Sequence, residues 1–189
     1  MCKVAAMKST GKNIMVRGYS LMNFTGLAAR EKALVLKWRN DARIRKWMYS
    51  GRTITAAEHA KFVRGLAKDA KNYYWLVTSR RDGHIGVIYL NKADLQNKNA
   101  YLGLYANPDS EVKGRGAILM KCVLAAAFGL LRLHTVKLEV LEHNTRALEF
   151  YKKSGFNEEG RLKEFVLKNG RRYDVVVMGL PAGSRGRKR

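Results

Sequence analysis

Two dipeptides, Asp82-Gly83 and Asn169-Gly170, each stand between two runs that read as strands. Tyr73 to Ser79 and Ile85 to Leu90 flank the first, and Phe156 to Leu167 and Tyr173 to Leu180 flank the second. Asp-Gly and Asn-Gly favour the positive φ values of a two-residue hairpin turn, so both regions read as antiparallel strand pairs. Any fold for this chain must contain these two hairpins and place helices around them.

The helices follow from a period near 3.6. Arg30 to Trp38 carries a broad apolar face through Ala33, Leu34, Leu36 and Trp38, and Asp41 to Met48 reads as a second, broken turn. Thr55-Ala-Ala-Glu58 is a capping box, because hydroxyl and carboxylate each satisfy an orphan amide of a first turn. It opens a helix to about Lys68, with Phe62, Val63 and Leu66 expected to face inward. Tyr19 to Phe24 is a predicted first strand and Asn99 to Ala106 a third member of the central strands, ending at Asn107-Pro108. Gly114, Gly116 and Ala117 open a long apolar helix to about Leu131, followed by a strand from His134 to Val140. Asn144 caps a last helix that stops at Gly155. The predicted order is strand, two helices, three strands, helix, strand, helix, two strands: an α/β domain over 17–180, preceded by a flexible leader (1–16) and followed by a basic, disordered tail (181–189).

Composition narrows the function. A chain of 189 residues fits one domain. No apolar run approaches the roughly 18 residues of a membrane span, and the start lacks a signal-peptide core, so a cytoplasmic location is expected. With two cysteines and four scattered histidines, no disulfide framework and no metal site are expected. The formal net charge of +22 is unusual. Residues 13–100 hold 17 Lys and Arg against 6 acids, and 101–180 hold 13 against 9. Such a field attracts anions: phosphate-bearing ligands, nucleic acid or an anionic surface.

Two constellations carry chemistry. Gly114 and Gly116, flanked by Lys113, Arg115 and Ala117, let backbone amides at a helix start approach a pyrophosphate closely. No Lys-Ser/Thr pair follows, which disfavours a nucleotide-hydrolysing loop. The second is Leu138-Glu-Val-Leu-Glu-His-Asn144, followed by Ala147, Phe150, Tyr151 and Gly155-Phe156.

An asparagine after a strand, alanine three residues on, tyrosine seven on, then Gly-Phe resembles the second signature of the GCN5-related N-acetyltransferases. The first signature is matched less closely: Lys113 stands where those enzymes usually have glutamine or arginine, Gly116 holds the glycine, and Ile118 replaces the usual glycine or alanine. The resemblance implies a central mixed, mostly antiparallel twisted sheet flanked by helices and splayed between the strands near 99–106 and 134–140. It implies acetyl-coenzyme A as cosubstrate, bound by Leu104, Tyr105, Ala106, Lys113, Gly114, Arg115, Gly116, Ala117, Asn144 and Ala147. Tyr151 would protonate the departing thiolate. A phenol and a thiol, with pKa values near 10 and 8.5, are matched for that transfer.

Leu34-Val-Leu-Lys-Trp-Arg-Asn40, Trp47-Met-Tyr-Ser50, Tyr101-Leu-Gly-Leu-Tyr105-Ala-Asn-Pro108 and Glu159-Gly-Arg-Leu-Lys163 further resemble the acetyltransferases of pseudaminic acid biosynthesis. Those enzymes acetylate the 4-amino group of a UDP-linked 4-amino-4,6-dideoxy sugar (UDP-4-amino-4,6-dideoxy-N-acetyl-β-L-altrosamine) destined for flagellin. By that resemblance Arg39, His59, Tyr89, Asn91, Lys92 and Tyr105 contact the acceptor or its nucleotide. The scarcity of acids in the N-terminal half agrees with an anionic acceptor. A polyamine, an aminoglycoside or a basic ribosomal-protein end would call for carboxylates. Two rivals are a protein N-terminal acetyltransferase and a nucleic-acid-binding module; charge alone supports the latter, and no helix-turn-helix, zinc-finger or RNA-binding signature accompanies it. The base that deprotonates the acceptor is left open among Glu142, Glu139, His59 and a water chain, and a homodimer is neither required nor excluded.

Overall fold

The structure, a computed structural model, describes residues 13–184. Its first elements are a short hairpin, β1 (Ile14–Val16) and β2 (Tyr19–Asn23), joined through Arg17 and Gly18, both at positive φ. β1 falls inside the stretch expected to be a leader; three residues are too few to show a period. Residues 1–12 of that leader, and residues 185–189 of the expected tail, lie outside the described residues. Pro181, expected to start the tail, is the last residue of the final strand.

Three helices follow. α1 (Ala29–Asn40) buries Val35 and Trp38, and α2 (Ala42–Arg45) starts on Asp41, whose carboxylate accepts from the Arg43 amide. α3 (Ala56–Leu66) begins on the expected capping box: Thr55 N donates to Glu58 at 2.8 Å and Glu58 N to the Thr55 hydroxyl at 3.2 Å. Val63 and Leu66 face inward as expected, but Phe62 does not, remaining 42% exposed. One residue from Val63 is about 100° around a helix, which turns Phe62 to the rim. There it meets Tyr74 edge-on at 5.0 Å.

The strands β3 (Tyr73–Ser79), β4 (Gly83–Asp94), β5 (Asn99–Ala106), β6 (Thr135–Leu141), β7 (Asn157–Lys168) and β8 (Arg171–Pro181) complete one eight-stranded sheet. Its order is β1-β2-β3-β4-β5-β6-β8-β7, antiparallel throughout except between β5 and β6. Both hairpin turns form where Asp82-Gly83 and Asn169-Gly170 stand. Alternation along the strands separates two cores. On one face Ile88, Leu90, Leu102 and Leu138 pack under α4 (Arg115–Leu124) and α5 (Thr145–Lys153). On the other, Leu76 and Val87 pack against Val35 and Trp38 of α1 and Val63 and Leu66 of α3.

The helix expected to run unbroken to Leu131 instead widens after Leu124 into a π turn over Ala125–Leu130. Leu131 N donates to Ala126 O, five residues back, at 2.9 Å. Three alanines and Gly129 leave room for the extra residue, and short π segments of this kind interrupt α-helices without ending them.

β5 and β6 pair at Asn99 with Thr135, Ala100 with Val136 and Tyr101 with Lys137, and then no further. Leu102 to Ala106 and Leu138 to Leu141 therefore diverge, opening a slit through the sheet at the expected place.

Candidate active site

Strand register sets a row of side chains leading to that slit. Tyr74 pairs with Tyr89, and Tyr89 with Gly103. Gly103 lies two residues past Tyr101, the last parallel contact, and Glu139 lies two past its partner Lys137. The row thus reads Tyr74, Tyr89, Gly103, slit, Glu139. The rings of Tyr74 and Tyr89 stack at 5.0 Å. A methyl group on Gly103 would collide with the Tyr89 ring, so glycine is needed for that ring to reach the slit.

Glu139 is held from above. Tyr49 follows α2 and donates its hydroxyl to Glu139 Oε2 at 2.6 Å. Burial raises the Tyr49 pKa, and so does the hydrogen bond to Glu139, because both favour the neutral phenol. Of the open candidates for a base, Glu142 is tied to Arg161 at 2.9 Å and to the Asp174 amide at 3.4 Å. His59 packs beside Phe62 on α3 with ring centroids 6.5 Å apart. Glu139 is the candidate that borders the slit.

Beyond Tyr89, Arg39 of α1 lies among Tyr105, Tyr89, Arg45 and Arg52. Burial depresses its pKa; the two phenols oppose that effect and the two cations add to it. Its Nη1 is buried with no hydrogen-bond partner among the described residues. Tyr89 and Tyr105 are both pushed up, burial being the largest cause. The structure therefore brings Arg39, Tyr89 and Tyr105 together. Tyr105, expected on both sides of the site, presents its side chain to the α1 face.

The other expected acceptor residues are more dispersed. Asn91 sits beside the Tyr74 hydroxyl, with its own Oδ1 buried and unpartnered among the described residues. Lys92 stands at a bulge in β4 with φ 51°, its ammonium 5.1 Å over the Tyr101 ring. His59 lies apart from the Arg39 group, beside Phe62, whose ring meets Tyr74 and through it Tyr89. Burial lowers the His59 pKa, with a smaller contribution from Lys32.

The opposite face of the slit belongs to α4 and α5. Gly114 caps α4 at φ 73°, and the first helical bond runs from Ile118 N to Gly114 O at 3.1 Å. The amides of Arg115, Gly116 and Ala117 therefore have no acceptor within the helix, an arrangement suited to phosphate oxygens. A methyl on Gly116 would touch the Phe150 ring at 3.4 Å, an ordinary contact. Lys113 is exposed just before the cap. The Arg115 guanidinium donates to Asn107 O at 2.8 Å, bracing the end of β5 against α4. Leu104 and Ala106 pack toward the α4 core from the open part of β5.

Asn144 Oδ1 accepts from Ala147 N at 3.3 Å, so this side chain caps α5. Ala147 packs against the core. Tyr151, two turns along α5, lies between Phe150 and Phe156 at 5.3 and 5.9 Å. Burial pushes its phenol up to about 12, keeping it protonated at neutral pH. Tyr151 on one face is close enough to Tyr89 on the other to help raise the Tyr89 pKa.

Sequence reasoning did not give Tyr49 or Gly103 a role. Tyr49 lies in a loop without period; its signal was the Trp47-Met-Tyr-Ser segment, noted only as a block. Among the described residues no group of three His, Cys, Asp or Glu could hold a metal ion. None of the described helices is long and apolar enough to cross a membrane.

A family model described as an acetyltransferase (GNAT) domain matches residues 24–157. The acetyltransferase PseH of Campylobacter jejuni is 35% identical over 145 residues, covering 77% of this chain and 88% of its own. The crystal structure of C. jejuni PseH with acetyl coenzyme A superposes with a TM-score of 0.66 at 29% identity, covering 87% of this chain and 99% of that one. The fold is also similar to spermidine N-acetyltransferase from Vibrio cholerae, solved with CoA and spermine, at a TM-score of 0.80 and 22% identity, over 89% and 98% of the chains.

Proposed function

The chain belongs to the GNAT acetyltransferase family, closely related to PseH, and is an acetyl-CoA-dependent N-acetyltransferase; we propose that its acceptor is the 4-amino group of a UDP-4-amino-4,6-dideoxy sugar on the route to pseudaminic acid. The observation that carries this reading is Arg39. A half-buried guanidinium with an unpartnered Nη1, set among phenols and other cations, suits an anionic ligand. A cationic polyamine would meet repulsion from Arg39, Arg45 and Arg52 instead. Lys92, at the far end of the Tyr89–Asn91 strand, adds a second positive group on the same side.

The slit supports a division of labour. Acetyl-CoA supplies a thioester carbonyl; the free amides at the start of α4, with Lys113, would hold its pyrophosphate. Arg39, Tyr89, Tyr105 and Asn91 would hold the acceptor on the α1 face. Glu139, fixed by Tyr49, accepts a proton from the acceptor ammonium, and the freed amine attacks the carbonyl through the slit. As the C–S bond breaks, Tyr151 gives its proton to the departing thiolate, and the second proton of the amine nitrogen is released to solvent, which reprotonates the phenolate. Glu139 and Tyr151 thus act on opposite faces of the sheet, one removing a proton and one delivering it.

Incubation with labelled acetyl-CoA and a panel of acceptors tests the reading. The panel contains UDP-4-amino-4,6-dideoxy sugars, the same sugars without nucleotide, spermidine, and peptides with ribosomal-protein N-termini. Acetylation of the UDP-sugar well ahead of the others is expected. A preference for spermidine or a basic peptide overturns it.

A further inference from the structure

The segment 45–51, which carries Tyr49, is not fixed by its own short helix. Lys168, the last residue of β7, reaches across 120 or more positions of sequence to it. Its ammonium donates to Arg45 O at 3.3 Å, Lys46 O at 2.5 Å and Met48 O at 3.0 Å. An ammonium has three protons, and here each has a carbonyl to meet. The carbonyls belong to the end of α2 and the turn after it; Arg45 O also accepts from Met48 N at 3.1 Å, and at such a helix end the last carbonyls lack intrahelical donors.

Two more observations make this contact specific. The Lys168 stem passes over Gly51, where a methyl group would approach Cε to 3.1 Å, so the arm is slim where the lysine crosses it. On the same strand Phe165 meets the Tyr49 ring edge-on at 6.3 Å. Lys168 is also costly to place: burial, Arg39 and Arg45 all lower its pKa. Four anchors therefore hold the arm: Lys168 on its carbonyls, Phe165 beside Tyr49, His143 5.7 Å from Trp47, and Glu139 bound to the Tyr49 hydroxyl.

We propose that Lys168 is a positioning residue for acetyl transfer: by holding the 45–51 arm on β7 it sets the Tyr49 hydroxyl against Glu139, so the β7–β8 hairpin controls the acceptor side of the slit. The inference rests on the assignment of Glu139 as the proton acceptor. Lys168 makes no contact with the reacting groups and acts through Tyr49.

The test uses Lys168→Met, which keeps an unbranched apolar stem and loses the donors, and Lys168→Arg, which restores donors. Hydrogen exchange on the acceptor-free protein comes first. Lys168→Met should speed exchange at the Lys46, Trp47 and Met48 amides about tenfold or more and leave α4 unchanged. With the UDP-4-amino sugar as acceptor, kcat/KM should fall while the acetyl-CoA Kd stays within about twofold, and Lys168→Arg should recover much of the loss. In a Tyr49→Phe background, Lys168→Met should cost less than about twofold more, because the two residues act in series. Unchanged arm exchange, or full additivity with Tyr49→Phe, overturns the proposal. Exchange needs no acceptor, so a wild-type enzyme inactive on the UDP-sugar would count against the acceptor assignment and leave the arm measurement standing.

Discussion

Tyr49 and Glu139, ninety residues apart in sequence, share a 2.6 Å hydrogen bond at the mouth of the slit between β5 and β6. The bond engages one carboxylate oxygen of Glu139, and the other is the one that the proposed acceptor ammonium would meet. It ties a loop that follows a four-residue helix to the strand that ends the parallel ladder.

Glu139→Gln retains an oxygen for Tyr49 and removes the proton acceptor. Its kcat/KM is expected to fall by about 10²–10⁴ near neutral pH. The deficit should shrink as pH rises, because the acceptor amine then loses its proton to solvent and needs no base. Parallel pH–rate profiles check this, and a deficit that stays constant with pH would remove Glu139 from that role.

Tyr151→Phe keeps the ring among Phe150 and Phe156 and deletes the proton. Turnover should drop by about 10²–10⁴-fold with acetyl-CoA affinity nearly unchanged. With the wild-type phenol raised to about 12, its deprotonation should not limit turnover between pH 7 and 10. The sign is fixed by burial: a raised phenol stays a donor as pH rises and is lost only near its folded pKa. Stopped-flow and steady-state rates together separate this effect from slow product release.

Arg39→Ala should raise the KM for the UDP-sugar about 10- to 150-fold, the equivalent of one charge-assisted hydrogen bond of roughly 1.5–3 kcal/mol. Lys92→Ala, at an exposed bulge, should have a smaller effect that fades with added salt. Assays at two ionic strengths distinguish them, and equal salt sensitivity would contradict the difference in burial.

Gly103→Ala should destabilise the fold by about 1–3 kcal/mol through overpacking against Tyr89. For a chain of this size the melting temperature should fall by roughly 2–4 °C per kcal/mol. Adding Tyr89→Val removes the ring and should make the pair's loss smaller than the sum of the singles. Thermal melts of the three variants give the answer.

The parts of this molecule that local rules govern were legible before the fold. The Thr55–Glu58 box, the Asp82-Gly83 and Asn169-Gly170 turns and the Asn144 cap are decided within four residues, and each stands where the pattern put it. Phe62 misled because it neighbours Val63 in a helix whose apolar face is narrower than its composition suggested. The π turn depends on how Ala125–Leu130 meets the sheet, and β1 on a partner strand rather than a period. Arg39 and Tyr105 were singled out by likeness and prove to be neighbours. Gly103 and Tyr49 matter through register and a long-range contact, and beyond the blocks of likeness that contain them no local rule marks either one.

The slit has a consequence for how such an enzyme can change over time. In the proposed arrangement, donor and acceptor recognition lie on opposite faces and meet through the opening where β5 and β6 part. On that arrangement, substitutions in α1, α3 and the arm would exchange one acceptor for another while the α4 start and Tyr151 went on serving the same thioester. Selection can then explore new amines one face at a time, with the shared chemistry insulated behind the sheet.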